Sequence, residues 1–266
     1  MDDIYSLLKR VKTSKPLVHH ITNWVTIYDC ANVTRCIGAL PVMAHAAEEV
    51  EEMASGAQAL VLNIGTLTPD LVDSMIAAAK KANGKRIPVV MDAVGVGATK
   101  LRTEKAGEIL QKVRVDIVKG NAGEMGTLAG VKAKVRGVES FGAAADAREI
   151  AKTVAKKYKT TAVVTGRDDI VSDGERTFVV SNGHPMMGSV VGTGCMATSV
   201  IAAFAAVEKD HTKAAAYALA CFGIAGELAA KEAKGPGSFK ENLYDELYCL
   251  DEKTIEKMQK VKKTKV

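Results

Sequence analysis

The sequence is poor in several features that would have pointed to a function class. It has one Trp, 5% aromatic residues and six prolines. No C-x-x-C pair occurs among its five cysteines, Cys30, Cys36, Cys195, Cys221 and Cys249. That excludes a zinc knuckle or a thioredoxin-type site. An odd, widely spaced set of thiols suits a reducing cytosol. No run of about twenty uncharged apolar residues is present, which excludes a membrane span. The start, Met1-Asp2-Asp3, lacks the apolar core of a signal peptide. Gly-Lys-Ser and Gly-Lys-Thr are missing, so a Walker-type phosphate loop is excluded.

A basic body is missing too. The formal charge is +5, but Lys253 to Val266 hold six lysines against the single acid Glu256. The other 252 positions carry 30 basic and 30 acidic residues. A broad nucleic-acid footprint is therefore not expected. The lysine-rich tail reads as a solvated helix end suited to the negative pole of the helix dipole.

What is present is ample core: 47% hydrophobic and 25% charged residues over 266 positions. That fits one large soluble domain, residues 1–266, since no Pro- or Ser-rich linker divides it. Short β-branched runs alternate with Ala- and Lys-rich segments. Strands are expected at Leu17–Ile21, Leu40–Ala44, Ala59–Ile64, Pro88–Asp92, Ile117–Lys119 and Ala162–Thr165. Helices are expected at Val25–Ile37, Pro69–Ala82, Glu104–Val113, Ala122–Ala129 and Gly142–Lys157. Runs such as Ala59-Leu60-Val61-Leu62 do not alternate with polar residues, as for parallel strands covered on both faces. The fold class is α/β. Asp173-Gly174, between Ile170-Val171 and Thr177–Val180, signals an antiparallel hairpin. After Cys195 the chain reads as helical over Met196–Val207, Thr212–Lys234 and Glu241–Lys260, the last two broken at Gly235-Pro236-Gly237-Ser238.

Three constellations carry chemistry. Gly192-Thr193-Gly194-Cys195 opens a long apolar helix, where free N–H groups and the dipole favour an anion; the alternative is a tight loop before a core helix. The same residues match a degenerate dinucleotide pattern, but only helices follow, which argues against it. Cys195 would lie in the first helical turn, where a thiolate is stabilised. It reads as a nucleophile, a base or a small packed residue, with His19, His20, His45 and His184 able to approach in space. Asp92 and Glu124 each follow an inferred strand, and carboxyl ends of strands form the crevice of an open α/β sheet. The pair reads either as ligands of a hydrated magnesium ion bridging phosphates or as turn and helix caps. Trp24 and Met43 read as core residues on composition grounds.

Taken in order, seven stretches resemble the hydroxyethylthiazole kinase family of the ribokinase-like superfamily. They are His20-Ile21-Thr22-Asn23, Leu40-Pro41-Val42-Met43-Ala44, Asn63-Ile64-Gly65-Thr66-Leu67, Asp92–Thr99, Lys119–Glu124, Val164-Thr165-Gly166 and Val191–Cys195. The resemblance implies a ribokinase-like sheet with helices on both faces. It also implies phosphorylation of 4-methyl-5-(2-hydroxyethyl)thiazole by ATP, magnesium, and a cytoplasmic homotrimer with sites at subunit interfaces. Met43, Gly192 and Asn23 would serve the thiazole, with Val25 and Met187 as further liners. Lys119, Thr165 and Asn121 would serve ATP. Asp92 and Glu124 would lie near the metal, and Gly192, Thr193, Gly194 and Cys195 at the transferring phosphoryl group. Most ribokinase-like enzymes carry an aspartate where this chain has Cys195, so the resemblance leaves the base open. Competing readings are a kinase for another vitamin-precursor alcohol such as a hydroxymethylpyrimidine or a sugar, a non-catalytic nucleotide sensor, and a cysteine hydrolase.

Overall fold

The computed structural model describes residues 3–130 and 147–265. Helix α1 (Ile4–Ser14) and strand β1 (Leu17–Ile21) lead into α2 (Ile27–Cys36), β2 (Leu40–Met43), α3 (Val50–Gly56), β3 (Ala59–Asn63), α4 (Pro69–Gly84) and β4 (Val89–Asp92). Then come α5 (Lys100–Lys112), β5 (Ile117–Asn121), α6 (Ala122–Ala129), α7 (Ala147–Tyr158), β6 (Thr161–Thr165), β7 (Asp169–Ser172) and β8 (Arg176–Val180). A 3₁₀ turn at Pro185–Ser189 precedes α8 (Thr193–Ala205), α9 (His211–Glu232), α10 (Pro236–Cys249), α11 (Glu252–Met258) and β9 (Val261–Lys265).

One sheet runs β2-β1-β3-β4-β5-β6-β7-β8-β9. The first six strands in that order are parallel, and β7, β8 and β9 add antiparallel. The apolar runs explain the layers. In β3, Ala59 and Val61 face a core with α1, α8, α9 and α10, while Leu60 and Leu62 face a second core with α4 and α5. Every residue of β3 and β4 is buried, which continuous apolar strands require. From β1 the chain steps outward to β2, then returns to β3 on the other side. That reversal opens a crevice at the carboxyl ends of β1 and β3, the place where open α/β sheets bind ligands.

Most expected elements form within a few residues of their predicted ends. Helix α2 starts at Ile27 rather than Val25, because Asn23 Oδ1 accepts from the amides of Val25 and Thr26 and holds them in a turn. The expected helix at Gly142–Lys157 is found from Ala147, and its first five residues lie outside the described ones. The expected Glu241–Lys260 helix is two helices. Asp251 ends the run and caps the next one, accepting from Thr254 N at 2.8 Å. Two short helices, α1 and α3, were not expected.

The tail is the main correction. It is not a solvated helix end. Residues 261–265 pair with β8, with Val261 opposite Val180 and Lys263 opposite Phe178. Without them the outer edge of β8 would present unpaired backbone groups. The Lys263 ammonium sits 5.7 Å from the Phe178 ring centre. Charge on an edge strand discourages a further strand from adding. Helix α9 is long and apolar enough to cross a bilayer by length and composition, but 72% of its most apolar window is buried inside the protein.

Candidate active site

Each crevice strand ends in a polar residue. β1 runs on to Asn23, and β3, β4, β5 and β6 end at Asn63, Asp92, Asn121 and Thr165. Helix α8 points its amino end at the same place. Its cap, Gly192, has φ +94 and no capping side chain. A Cβ at that position would lie 2.6 Å from Thr26 Cγ2, so both conformation and space demand glycine. The first N–H groups of α8 therefore meet no capping side chain, and an anion is the favoured partner there.

Behind this end lies a buried charge cluster. Lys119 Nζ donates to both Asp92 oxygens at 3.2 Å and to Gly194 O at 2.9 Å. Burial pulls the Lys119 pKa down, but Asp92, with Cys195 and Glu124, outweighs it and the pKa rises. Lys119 is thus held as an ammonium beside Asp92. Asp92 Oδ2 also accepts from Thr198 Oγ1 at 2.8 Å and Asn63 Nδ2 at 3.2 Å. Glu124 accepts from Gly95 N at 2.7 Å and Asn121 N at 2.8 Å, and Asn121 Oδ1 returns the cap to Glu124 N. Burial pushes the Glu124 pKa up, and the Asp92 charge adds to it.

Cys195 sits between the amides of two asparagines. Its Sγ accepts from Asn63 Nδ2 at 3.2 Å and Asn23 Nδ2 at 3.5 Å. Burial raises its pKa, the Asp92 charge raises it further, and Lys119 only partly opposes them. The first-turn position does not produce a thiolate here. His20 lies behind α8, with Nε2 3.1 Å from Ser199 Oγ. Burial lowers its pKa to about 4, so it is neutral and makes no ion pair with the thiol.

The structure thus brings together Asn23, Lys119, Asp92, Gly194 and Cys195, with Asn121 at the end of the Lys119 strand and Glu124 in the first turn of the helix that follows it. Both side-chain polar atoms of Asn23 are engaged within the protein, so it builds the wall of the site through the Thr26 turn and Cys195. Thr165, Thr193 and Gly194 line a cavity of about 710 Å³ that also touches Gly166, Asp169, His184 and Leu219. Met187 lines this cavity and packs against Gly226, which puts it on the Thr165 side rather than beside Met43. Met43 ends the edge strand β2, opposite His20, and is half-buried. Trp24 is not core: it is 50% exposed and meets the His45 ring edge-on at 4.6 Å.

Sequence reasoning passed over Asn63 and Asp169. Asn63 bridges Asp92 to Cys195, and its position at a strand end was the available signal. Asp169 accepts from Gly166 N at 3.0 Å on the cavity wall, and burial raises its pKa to about 6. Among the described residues, no group of three or more His, Cys, Asp or Glu side chains could hold a metal ion.

Known proteins match this chain over nearly its whole length. The model of the hydroxyethylthiazole kinase family matches residues 8–253. A protein of Methanosarcina mazei named hydroxyethylthiazole kinase is 59% identical over 254 residues, 96% of this chain and 97% of its own. The structure of a hydroxyethylthiazole kinase protein from Pyrococcus horikoshii OT3 superposes with a TM-score of 0.90 at 45% identity, covering 98% of this chain and 99% of that one. A ribokinase-like superfamily protein from Enterococcus faecalis V583, 15% identical, shares the fold with a TM-score of 0.63 over 89% of this chain and 88% of its own. With a family model covering most of the chain and relatives well above half identical, the chain belongs to the hydroxyethylthiazole kinase family.

Proposed function

We propose that this protein transfers the γ-phosphoryl group of ATP to the primary alcohol of 4-methyl-5-(2-hydroxyethyl)thiazole, the phosphorylation that supplies thiazole phosphate for thiamine synthesis. The observation that carries this is the uncapped amino end of α8, set between a nucleotide-sized cavity and the Asn23–Asn63–Cys195 group. The residues act as one kinase domain in a reducing cytoplasm. All five cysteines are free, which supports that compartment.

Phosphoryl transfer needs alignment and charge stabilisation more than covalent help. ATP lies along the cavity past Thr165 and Met187, with its γ-phosphoryl group at the amides of Thr193–Cys195. The alcohol enters from the Met43 and Gly192 side. Its oxygen bonds to the γ-phosphorus as the bond to the β-phosphate oxygen breaks, and ADP leaves. Amides fixed by the helix hold the equatorial oxygens without reorganising. Lys119, kept charged by Asp92, offsets phosphate charge from beneath the loop. The alcohol proton leaves late to solvent or phosphate, because the Cys195 thiol is held protonated. Cys195 then positions the alcohol and is no base.

The carboxylates suit a hydrated magnesium ion. Glu124 is a hard oxygen donor whose pKa is pushed up by burial and by the neighbouring Asp92 charge, so a nearby cation would favour its carboxylate. Asp92 already faces Lys119, so Glu124 is the better outer partner. Bound there, with Glu124 as its partner through water, such an ion would supply positive charge against the triphosphate. A site completed by phosphates and water, rather than by a protein cage, agrees with the sparse set of ligands.

The test is incubation with magnesium-ATP and a panel of vitamin-precursor alcohols, with phosphorylated products read by ³¹P NMR. The thiazole alcohol should be the preferred acceptor. Transfer to a hydroxymethylpyrimidine and none to the thiazole would overturn the reading.

A further inference from the structure

One side chain outside the charge cluster ties the crevice loops together. Arg102 lies in the first turn of α5, where Thr99 Oγ1 caps its amide at 3.3 Å. Its side chain folds back across Gly95, where a Cβ would come within 2.9 Å of Arg102 Cδ. The guanidinium then donates to three main-chain carbonyls. Nη1 reaches Ile64 O at 2.9 Å and Val94 O at 3.0 Å, and Nη2 reaches Gly65 O at 2.7 Å.

Those carbonyls belong to different loops with different duties. Ile64-Gly65 follows β3. Gly65 N donates to Asn63 Oδ1 at 2.9 Å, and a Cβ on Gly65 would fall 2.9 Å from Asn23 Cβ. This loop fixes the two asparagines that hold Cys195. Val94-Gly95 follows β4, and Gly95 N holds Glu124 at 2.7 Å. One rigid fork therefore spans the cysteine end and the carboxylate end of the crevice. Helix α5 does not need an arginine there, since a cation is disfavoured at a helix amino end. No carboxylate among the described residues pairs with it. Its donors go to the crevice loops.

We propose that Arg102 is a positioning residue for phosphoryl transfer, setting the distance between the Asn63–Cys195 pair and the Glu124 carboxylate. The proposal rests on the reading of this crevice as the kinase site. Lysine cannot replace the fork, because a single ammonium on a flexible stem does not span three fixed carbonyls.

The experiment compares Arg102→Lys and Arg102→Ala with the wild type. On the free enzyme, amide exchange should rise in residues 63–66 and 93–97 in both variants. In turnover, kcat should fall by roughly 100-fold, the scale of an ångström-sized misplacement, while KM for ATP and for the alcohol moves by less than about threefold. Added guanidinium ion should restore part of kcat to Arg102→Ala. If Arg102→Ala does not fold, Arg102→Lys carries both readouts. Unchanged loop exchange, or kcat within threefold of wild type at a temperature where the variant is folded, overturns the proposal. Exchange is read without substrate, so it decides the clamp even if the wild type prefers another alcohol, and kcat is then compared with that alcohol.

Discussion

At the residue scale, the question left open by the sequence is what Cys195 does in place of an aspartate. Its surroundings answer through charge. A half-buried thiol whose pKa is raised by desolvation and by the Asp92 charge keeps its proton at neutral pH, despite two amide donors. A general base contributes about 10²–10⁴-fold, so Cys195→Ser should keep turnover within about tenfold of wild type if positioning is the role. Loss of turnover in the serine variant, with turnover retained in Cys195→Asp, would make it a base instead. Asp169 gives a second residue-scale prediction. Its pKa stands at about 6, against an ordinary 3.8, because burial disfavours its charge. The folded state thus binds more protons than the unfolded one between those values, so this group's contribution to stability falls as pH rises from about 4 to about 6 and stays low above that. Asp169→Asn keeps an acceptor for Gly166 N and removes the charge. Urea titrations should find the variant stabilised relative to wild type at neutral pH, with the difference shrinking toward pH 4. A difference independent of pH would place the cause elsewhere.

At the element scale, the amino end of α8 makes the site, and Gly192 makes that end possible. Gly192→Ala meets two obstacles, a left-handed backbone and Thr26 Cγ2. A non-glycine residue in such a conformation costs about 1–3 kcal/mol, and the clash adds to it. Turnover should fall sharply, and the double variant Gly192→Ala with Thr26→Ser, which removes Cγ2, should recover part of it. No recovery would mean that the backbone alone is limiting. The same element marks how far the sequence could be read. The glycine pair before an apolar run identified the helix start, and unbroken apolar runs identified parallel strands, because both signals are local. The tail misled for the opposite reason. Six lysines read as a solvated helix end, yet residues 261–265 answer a need created far away in sequence, the open edge of β8. Arg102 was illegible for a similar reason, and Asn63 was marked only by its place at a strand end. Nothing near them in sequence says which carbonyls or which thiol they will meet.

At the scale of the whole molecule, large apolar residues lie exposed beside the Gly192 turn. Val25 is 66% exposed, Tyr28 73% and Val191 72%, beside the half-exposed Trp24. The two segments that carry them meet where Gly192 packs on Thr26, so the residues gather at the mouth of the site. Gathered exposed apolar groups of this kind mark an interaction surface, whereas scattered ones do not. Closure by copies of the same chain in a ring, as in the homotrimer that the family resemblance implies, would cover them and would complete the pocket beyond Met43. The prediction follows from exposure itself. In a lone chain, a charge at Val25 or Tyr28 touches little and should change stability by no more than about 0.5 kcal/mol. In a ring it is buried without a partner. Val25→Glu and Tyr28→Glu should therefore shift the species seen by light scattering from trimer to monomer, raise KM for the thiazole alcohol, and leave the circular dichroism of the fold intact. A wild-type chain that is monomeric at the concentrations where it turns over, or variants that remain trimeric and fully active, would place the missing wall of the pocket within the chain itself.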